Sequence, residues 1–223
     1  MTLYGDFLKD DHRQTGKWTH YFPIYERHLQ RFQNRYVTLL EIGIARGGSL
    51  QLWKRYLGPF VRIVGIDTDP RCRQVEEEQI NVRIGSQADL PFLAGVIEEF
   101  GVPDIVIDDG SHLQSHVNTS FDFLFPQLPK NGVYLVEALH TAYWPDFEGG
   151  LNRPGTFVER AKSFIDTLHA QHVKPPVPDA GIADRIASVH AYDSVVVIEV
   201  GEARLRYDKW MGGNPAWSDT WPK

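Results

Sequence analysis

From residue 36 onward, largely apolar runs alternate with segments whose apolar residues recur at helical spacing. Residues 37–44 read as a strand buried on both faces. A glycine-rich turn follows at 45–49, then a helix over 50–57 that Gly58 and Pro59 stop. Residues 61–67 predict a second buried strand, 69–79 a charged helix and 82–85 a short third strand. Asp89 is placed to cap a helix running to about Phe100. Residues 104–107 form the fourth strand, closed by Asp108, Asp109 and Gly110, and a helix continues through about Phe125. The fifth strand, 132–136, ends at Glu137.

Outside this stretch the pattern loosens. Residues 24–32 read as a short helix among aromatics, and 149–155 as a glycine- and proline-bearing loop. Residues 157–172 suggest a helix and 174–178 a proline-rich break. Residues 186–192 and 194–200 suggest two strands joined at Asp193 and Ser194, an antiparallel closing pair. Strands alternating with helices predict an α/β domain, a mostly parallel sheet with helices on both faces. Ligands of such sheets bind outside the carboxyl ends of the strands. Glu41 with the glycine turn, Asp67, Asp108, Asp109 and Glu137 all fall there.

Composition narrows the classes. The chain is 42% hydrophobic and 23% charged, which excludes a disordered, collagenous or coiled-coil protein. Its net charge of −6 argues against a sequence-tolerant nucleic-acid binder, which needs a basic surface. A single cysteine, Cys72, excludes an internal disulfide framework and a cysteine-rich zinc site. No apolar run reaches the ~18–20 residues of a membrane helix, and residues 1–17 hold no signal-peptide core. The expectation is a cytoplasmic protein without a membrane or nucleic-acid partner.

The turn Glu41, Gly43, Gly47, Gly48, Ser49 follows a strand and opens a helix. Gly43 permits a tight turn, and Gly47 lets the helix start near a ligand. The spacing is neither the dinucleotide fingerprint nor a P-loop. Asp67 ends the next strand about two dozen residues on, near the ~20-residue spacing of a ribose-binding acid. Together these features favour an adenosine ligand over a plain turn.

At the fourth strand, Asp108 and Asp109 point in different directions because strand side chains alternate. One can face the cofactor, the other a metal or substrate. His112 follows three residues on, and imidazole is a suitable base near neutral pH. Asp109 and Glu137 can share a hard cation such as Mg²⁺, which prefers oxygen ligands. The plainer alternative is that the two aspartates cap the next helix and His112 packs on it. Spacing alone does not choose between these readings.

Five blocks occur in order: Lys17 to Glu26, Glu41 to Ile44, Gly47 to Leu50, Ile107 to His112, and Tyr143 with Trp144. Over about residues 15–170 they resemble the metal-dependent sugar O-methyltransferases of antibiotic biosynthesis, a branch of the class I S-adenosylmethionine-dependent methyltransferases. The resemblance implies the Rossmann-like methyltransferase fold with a seven-stranded sheet. It implies S-adenosylmethionine as cofactor, contacted by Glu41, Gly43, Gly47, Ser49, Asp67, Gln87, Asp89 and Asp108. It further implies Asp109 and Glu137 as magnesium ligands, His112 as base, and a glycosylated small-molecule acceptor, with homo-oligomers as an option. Tyr143 and Trp144 are expected to pack on that acceptor. The family usually carries two adjacent acids at the end of the fifth strand. Here Ala138 follows Glu137, which puts metal dependence in question and leaves a non-catalytic adenosyl-binding homologue as the alternative. A nicotinamide-dependent dehydrogenase is disfavoured by the glycine spacing. The expected layout is an N-terminal aromatic segment (1–35) packed on a methyltransferase domain (36–202), with a tryptophan-rich tail (203–223).

Overall fold

The computed structural model describes residues 2–9, 13–201, 209 and 211. Helices α1 (Leu3–Phe7) and α2 (Phe22–Leu29) precede strand β1 (Val37–Ile42). Then come α3 (Gly48–Leu57), β2 (Val61–Asp67), β3 (Ile80–Ile84), α4 (Leu90–Phe100), β4 (Ile105–Asp108), α5 (Gln114–Leu124) and β5 (Val133–Val136). The chain closes with α6 (Phe157–Leu168), β6 (Ile186–Tyr192) and β7 (Val195–Val200). The seven strands lie in the order β3-β2-β1-β4-β5-β7-β6. β1 to β5 are parallel, and β7 runs antiparallel to both β5 and β6. The strand order reverses between β1 and β4, the crevice where open α/β sheets take their ligands.

Two apolar layers cover the sheet. One packs Tyr25 of α2 and Trp53 of α3 against Leu39, Ile107 and Leu135. The other packs Leu93 of α4, Phe121 of α5 and Phe164 of α6 against Leu40, Val106 and Val136. Successive strand residues alternate between the layers. The carboxylates that close the strands inherit that alternation. Glu41, Asp109 and Glu137 continue the α2–α3 face, whereas Asp108 continues the α5 face. Register brings them together, because Ile42 pairs with Asp108 and Asp108 with Val136.

Several boundaries differ from those the pattern suggests. Residues 69–79 are not an α-helix. A 3-10 turn covers Pro70–Val75, and Glu77 then bridges Ile80. Only Cys72 and Val75 of that turn are buried, too narrow an apolar stripe to hold a helix on the sheet. β1 stops at Ile42 because Gly43 turns the chain at φ +81°. The helix expected over 157–172 ends at Leu168, with a separate 3-10 turn at Ala170–His172. In the N-terminal segment, Leu3, Tyr21, Phe22, Tyr25 and Leu29 are buried in the α2–α3 layer. Each such side chain contributes ~1.5–3 kcal/mol by leaving water. The tryptophan-rich tail lies outside the described residues, apart from Lys209 and Met211.

Candidate active site

The glycine turn is built by close approach. A Cβ on Gly43 would sit 2.1 Å from the Asp109 carbonyl oxygen, so only glycine lets the β1 and β4 ends touch. Gly47 caps α3 at φ +77°, and a Cβ there would meet Val75 at 2.7 Å. Gly47 therefore serves helix–turn packing. The Asp67 carboxylate holds the turn from the other side. Its Oδ2 accepts the Ile44 and Ala45 amides at 3.0 Å each, and its Oδ1 accepts the Asp69 amide at 3.0 Å.

Two cavities meet at Gly43. One, of about 170 Å³, is lined by Gly43, Asp67, Ser86, Gln87 and Ser111 among others. The second, of about 280 Å³, lies between the turn and the N-terminal segment, with Lys17, Arg46, Ser49 and Asp109 on its walls. Glu41 lines neither cavity. It is wholly buried, accepts the Ser49 hydroxyl at 2.8 Å, and burial raises its pKa. Asp89 caps α4 by accepting the Phe92 amide at 3.2 Å and stands apart from both cavities.

Asp108 also turns away from the crevice, into the α5 layer. Its carboxylate accepts from Gln87 Nε2 at 3.0 Å, the Ser120 hydroxyl at 2.8 Å and the Tyr134 hydroxyl at 3.2 Å. Burial pushes its pKa up to about 6 against those hydrogen bonds. Gln87 returns its Oε1 to the Ser111 amide at 2.9 Å. This network ties the β4 loop to the α4 and α5 sides and fixes the direction of the next residue, Asp109.

The centre of the site contains a residue that motif reasoning did not assign. Lys17 is nearly inaccessible, and its ammonium donates to Asp109 Oδ2 at 2.7 Å and Glu137 Oε2 at 2.8 Å. Glu41 Oε1 is 3.7 Å away. Burial lowers the ammonium's pKa, but the nearby charges, Asp109 and Glu137 foremost, outweigh it and hold the pKa well above its usual value. Burial drives Glu137 up to about 8, opposed by Lys17 and assisted by Asp109. The available signal was the position of Lys17 within the first motif block. Its partners are 92 and 120 residues away in sequence, beyond any local pattern.

His112 adopts a left-handed backbone at φ +59°. This places Nε2 3.9 Å from Asp109 Oδ1, on the open side of the cluster. Burial lowers its pKa, although Asp109 opposes the shift. Phe147 stands edge-on to it, with ring centroids 6.1 Å apart. The next loop carries Tyr143 and Trp144, both about half exposed. Trp144 meets His140 edge-on at 4.8 Å, and Trp18 stacks on the same imidazole at 4.5 Å.

The donor set suits a hard divalent cation. Two carboxylates converge, and one ammonium faces three acids. Two carboxylates completed by water and substrate are a normal complement for Mg²⁺. Ala138 adds no ligand, and Lys17 already engages one oxygen of each acid, so weak affinity is expected.

Sheet order and crevice define the Rossmann-like class I methyltransferase fold. By sequence the chain is similar to proteins named as O-methyltransferases. It is 39% identical over 212 residues to the mycinamicin VI 2''-O-methyltransferase of Micromonospora griseorubida, covering 89% of this chain and 51% of the relative. It is 38% identical over 221 residues to the demethylmacrocin O-methyltransferase of Streptomyces fradiae, covering 91% and 53%. A similar solved structure is the MycE methyltransferase of the mycinamycin pathway, in complex with Mg, SAH and mycinamycin VI. It matches at a TM-score of 0.79 and 34% identity over 96% of this chain and 55% of that one. The chain thus spans about half the length of these relatives. No family model matches it. Among the described residues, no helix is long and apolar enough to cross a membrane.

Proposed function

We propose that this chain is the methyl-transferring part of an S-adenosylmethionine-dependent O-methyltransferase, acting on a hydroxyl of a glycosylated small molecule. The observation that carries the reading is the pair of cavities meeting at Gly43, with Asp109 and His112 on the open side. Asp67, Ser86, Gln87 and Ser111 would hold the adenosine, and Lys17, Arg46 and Ser49 the amino-acid end of the cofactor, with Gly43 lining both cavities between them.

His112 Nε2 accepts the proton of the acceptor hydroxyl as its oxygen attacks the methyl carbon. One C–O bond forms, one C–S bond breaks, and the thioether departs as S-adenosylhomocysteine. The neutral imidazole becomes imidazolium, and Asp109 stabilises it at close range. Alignment of oxygen and methyl at ~3–3.5 Å provides much of the acceleration. Asp109 and Glu137 would hold Mg²⁺, which when bound orients vicinal hydroxyls and acidifies the one that reacts. Trp144 and Tyr143 offer aromatic faces to the sugar. Glu41, Asp108, Asp89 and Gly47 act through the scaffold, each by the packing or hydrogen bonds described above. Residues 36–202 serve as the methyltransferase domain and 1–35 as its cover. In this reading the reaction is cytoplasmic.

Calorimetric titration with S-adenosylhomocysteine tests the cofactor site. A one-to-one complex near micromolar affinity, about −8 kcal/mol, is expected. Absence of binding to the wild-type protein removes the basis of the reading.

A further inference from the structure

We propose that His28, His190 and Glu199 form a binding site for a divalent transition-metal ion, zinc by preference, at the β6–β7 edge of the sheet. None of the three lines either cavity that meets at Gly43, so the site is independent of the methyltransferase reading. Each side chain brings one donor atom within 4.8 Å of the other two. Donor atoms around a tetrahedral zinc stand ~3.4 Å apart, as follows from bonds of ~2.1 Å. The observed spacing lies within side-chain rotation of that value.

Three elements assemble the cluster. His28 lies in the last turn of α2 and is buried. Ser188, His190 and Tyr192 alternate along β6, so they share one face of the strand. Glu199 on β7 pairs with Ser188, which sets its side chain diagonal to His190 on that face. The rings of His28 and His190 have centroids 4.7 Å apart. His190 and Glu199 are half-buried, so an ion can enter from solvent.

Metal-binding imidazoles are normally oriented by a partner on the nitrogen that does not ligate. Both rings have one. Tyr192 Oη lies 2.9 Å from His28 Nε2, and Ser188 Oγ lies 3.0 Å from His190 Nε2. Nδ1 is left as the ligating atom of each ring. His28 Nδ1 is already 2.6 Å from Glu199 Oε1, and the ion would replace the proton between them. Arg31 Nη2 holds the other carboxylate oxygen, Oε2, and fixes its plane. Arg31 Nη1 also reaches Oε1 at 3.0 Å, so the guanidinium competes with the ion for that oxygen. Two nitrogen donors and one carboxylate select zinc, cobalt or nickel over Mg²⁺, which takes oxygen ligands. Bound there, the ion would join α2 to the last two strands and brace the segment that carries Lys17.

Cobalt(II) is the probe, because its visible ligand-field bands report tetrahedral coordination. The wild-type chain, free of any histidine tag, is compared with His190→Gln, Arg31→Gln and Asp109→Asn. One Co²⁺ per wild-type chain is expected, displaced by Zn²⁺ and not by Mg²⁺. His190→Gln should weaken Co²⁺ binding at least about tenfold, as loss of one ligand does. Arg31→Gln should tighten it by freeing Oε1, a gain that a purely structural cluster would not show. Asp109→Asn, in the carboxylate cage around Lys17, should leave the bands unchanged. Zn²⁺ at about 100 times its Kd should raise the melting temperature of the wild type by ~5–10 °C and leave that of His190→Gln where it was. Equal Co²⁺ titrations of the wild type and His190→Gln overturn the proposal. So does a wild type without tetrahedral bands, or one whose bands are lost in Asp109→Asn. Should His190→Gln fail to fold, Arg31→Gln decides, and weaker Co²⁺ binding in that variant than in the wild type overturns the site.

Discussion

Replacing Lys17 by Met isolates the electrostatic role of its ammonium. The methionine stem nearly matches the lysine stem in volume, so little cavity opens and the main loss is one positive charge. That charge lies 2.7 Å from Asp109 and 2.8 Å from Glu137, with Glu41 at 3.7 Å. Removing one partner of a buried ion pair costs ~3–5 kcal/mol, because the remaining charge is left uncompensated. For a domain of this size each kcal/mol lowers the melting temperature by ~2–4 °C, so a fall of ~6–20 °C is expected at pH 7. Adding Glu137→Gln to Lys17→Met should recover part of that loss, with a coupling of ~1–3 kcal/mol. The sign with pH follows from linkage. Without the ammonium the carboxylates bind protons more tightly in the folded than in the unfolded state, so the deficit shrinks as the pH falls. Calorimetric unfolding of the wild type, both single variants and the double variant closes the cycle. A Lys17→Met protein that melts with the wild type, or strictly additive losses, would refute a carboxylate cage organised by Lys17.

His112→Ala should lower kcat by ~10²–10⁴-fold while S-adenosylhomocysteine affinity stays within error; joint loss of both would make His112 structural. Ala138→Asp should tighten Mg²⁺ binding, read by competition with Mn²⁺ in electron paramagnetic resonance. Ala138 is in a left-handed backbone at φ +53°, where aspartate is tolerated better than alanine, so the variant should also fold without loss. An unchanged Mn²⁺ signal would mean that the ion does not sit beside residue 138. Glu199 accepts from His28 at 2.6 Å and from Arg31 Nη1 at 3.0 Å. Burial raises its pKa, but these partners outweigh burial and hold it below 4.5. Its folded pKa is therefore depressed, and its contribution to stability is present above ~4.5 and lost as the pH falls below that value. Glu199→Gln should flatten this part of the acid-unfolding profile; an identical slope would show that the clasp between α2 and β7 contributes nothing.

Much of the scaffold is legible without coordinates, and the reason is periodicity. Strands buried on both faces must be apolar along their length, so β1, β2, β4 and β5 stand out, and their polar ends mark the crevice. The residues between β2 and β3 mislead because charged residues with good helix propensity carry no stripe wide enough to pack. Their conformation is set by Pro70 and by contacts across the turn. Asp67 and the glycine turn are similarly visible, since strand-end acids and left-handed glycines are local demands of the backbone.

Side-chain alternation already separates Asp108 from Asp109 in the sequence, and the helix start after Gly47 is equally local. The choice of which aspartate faces the crevice belongs to the tertiary structure. Gln87, Ser120 and Tyr134 come from three different elements to engage Asp108, leaving Asp109 for the open side. Lys17 reaches Asp109 and Glu137 only because α2 packs on α3 and draws the N-terminal segment over the strand ends. Local periodicity determines which residues lie at the ends of strands and on which face. Long-range packing decides which charges share a buried volume, because the electrostatic energy depends on distance in space and not on separation along the chain.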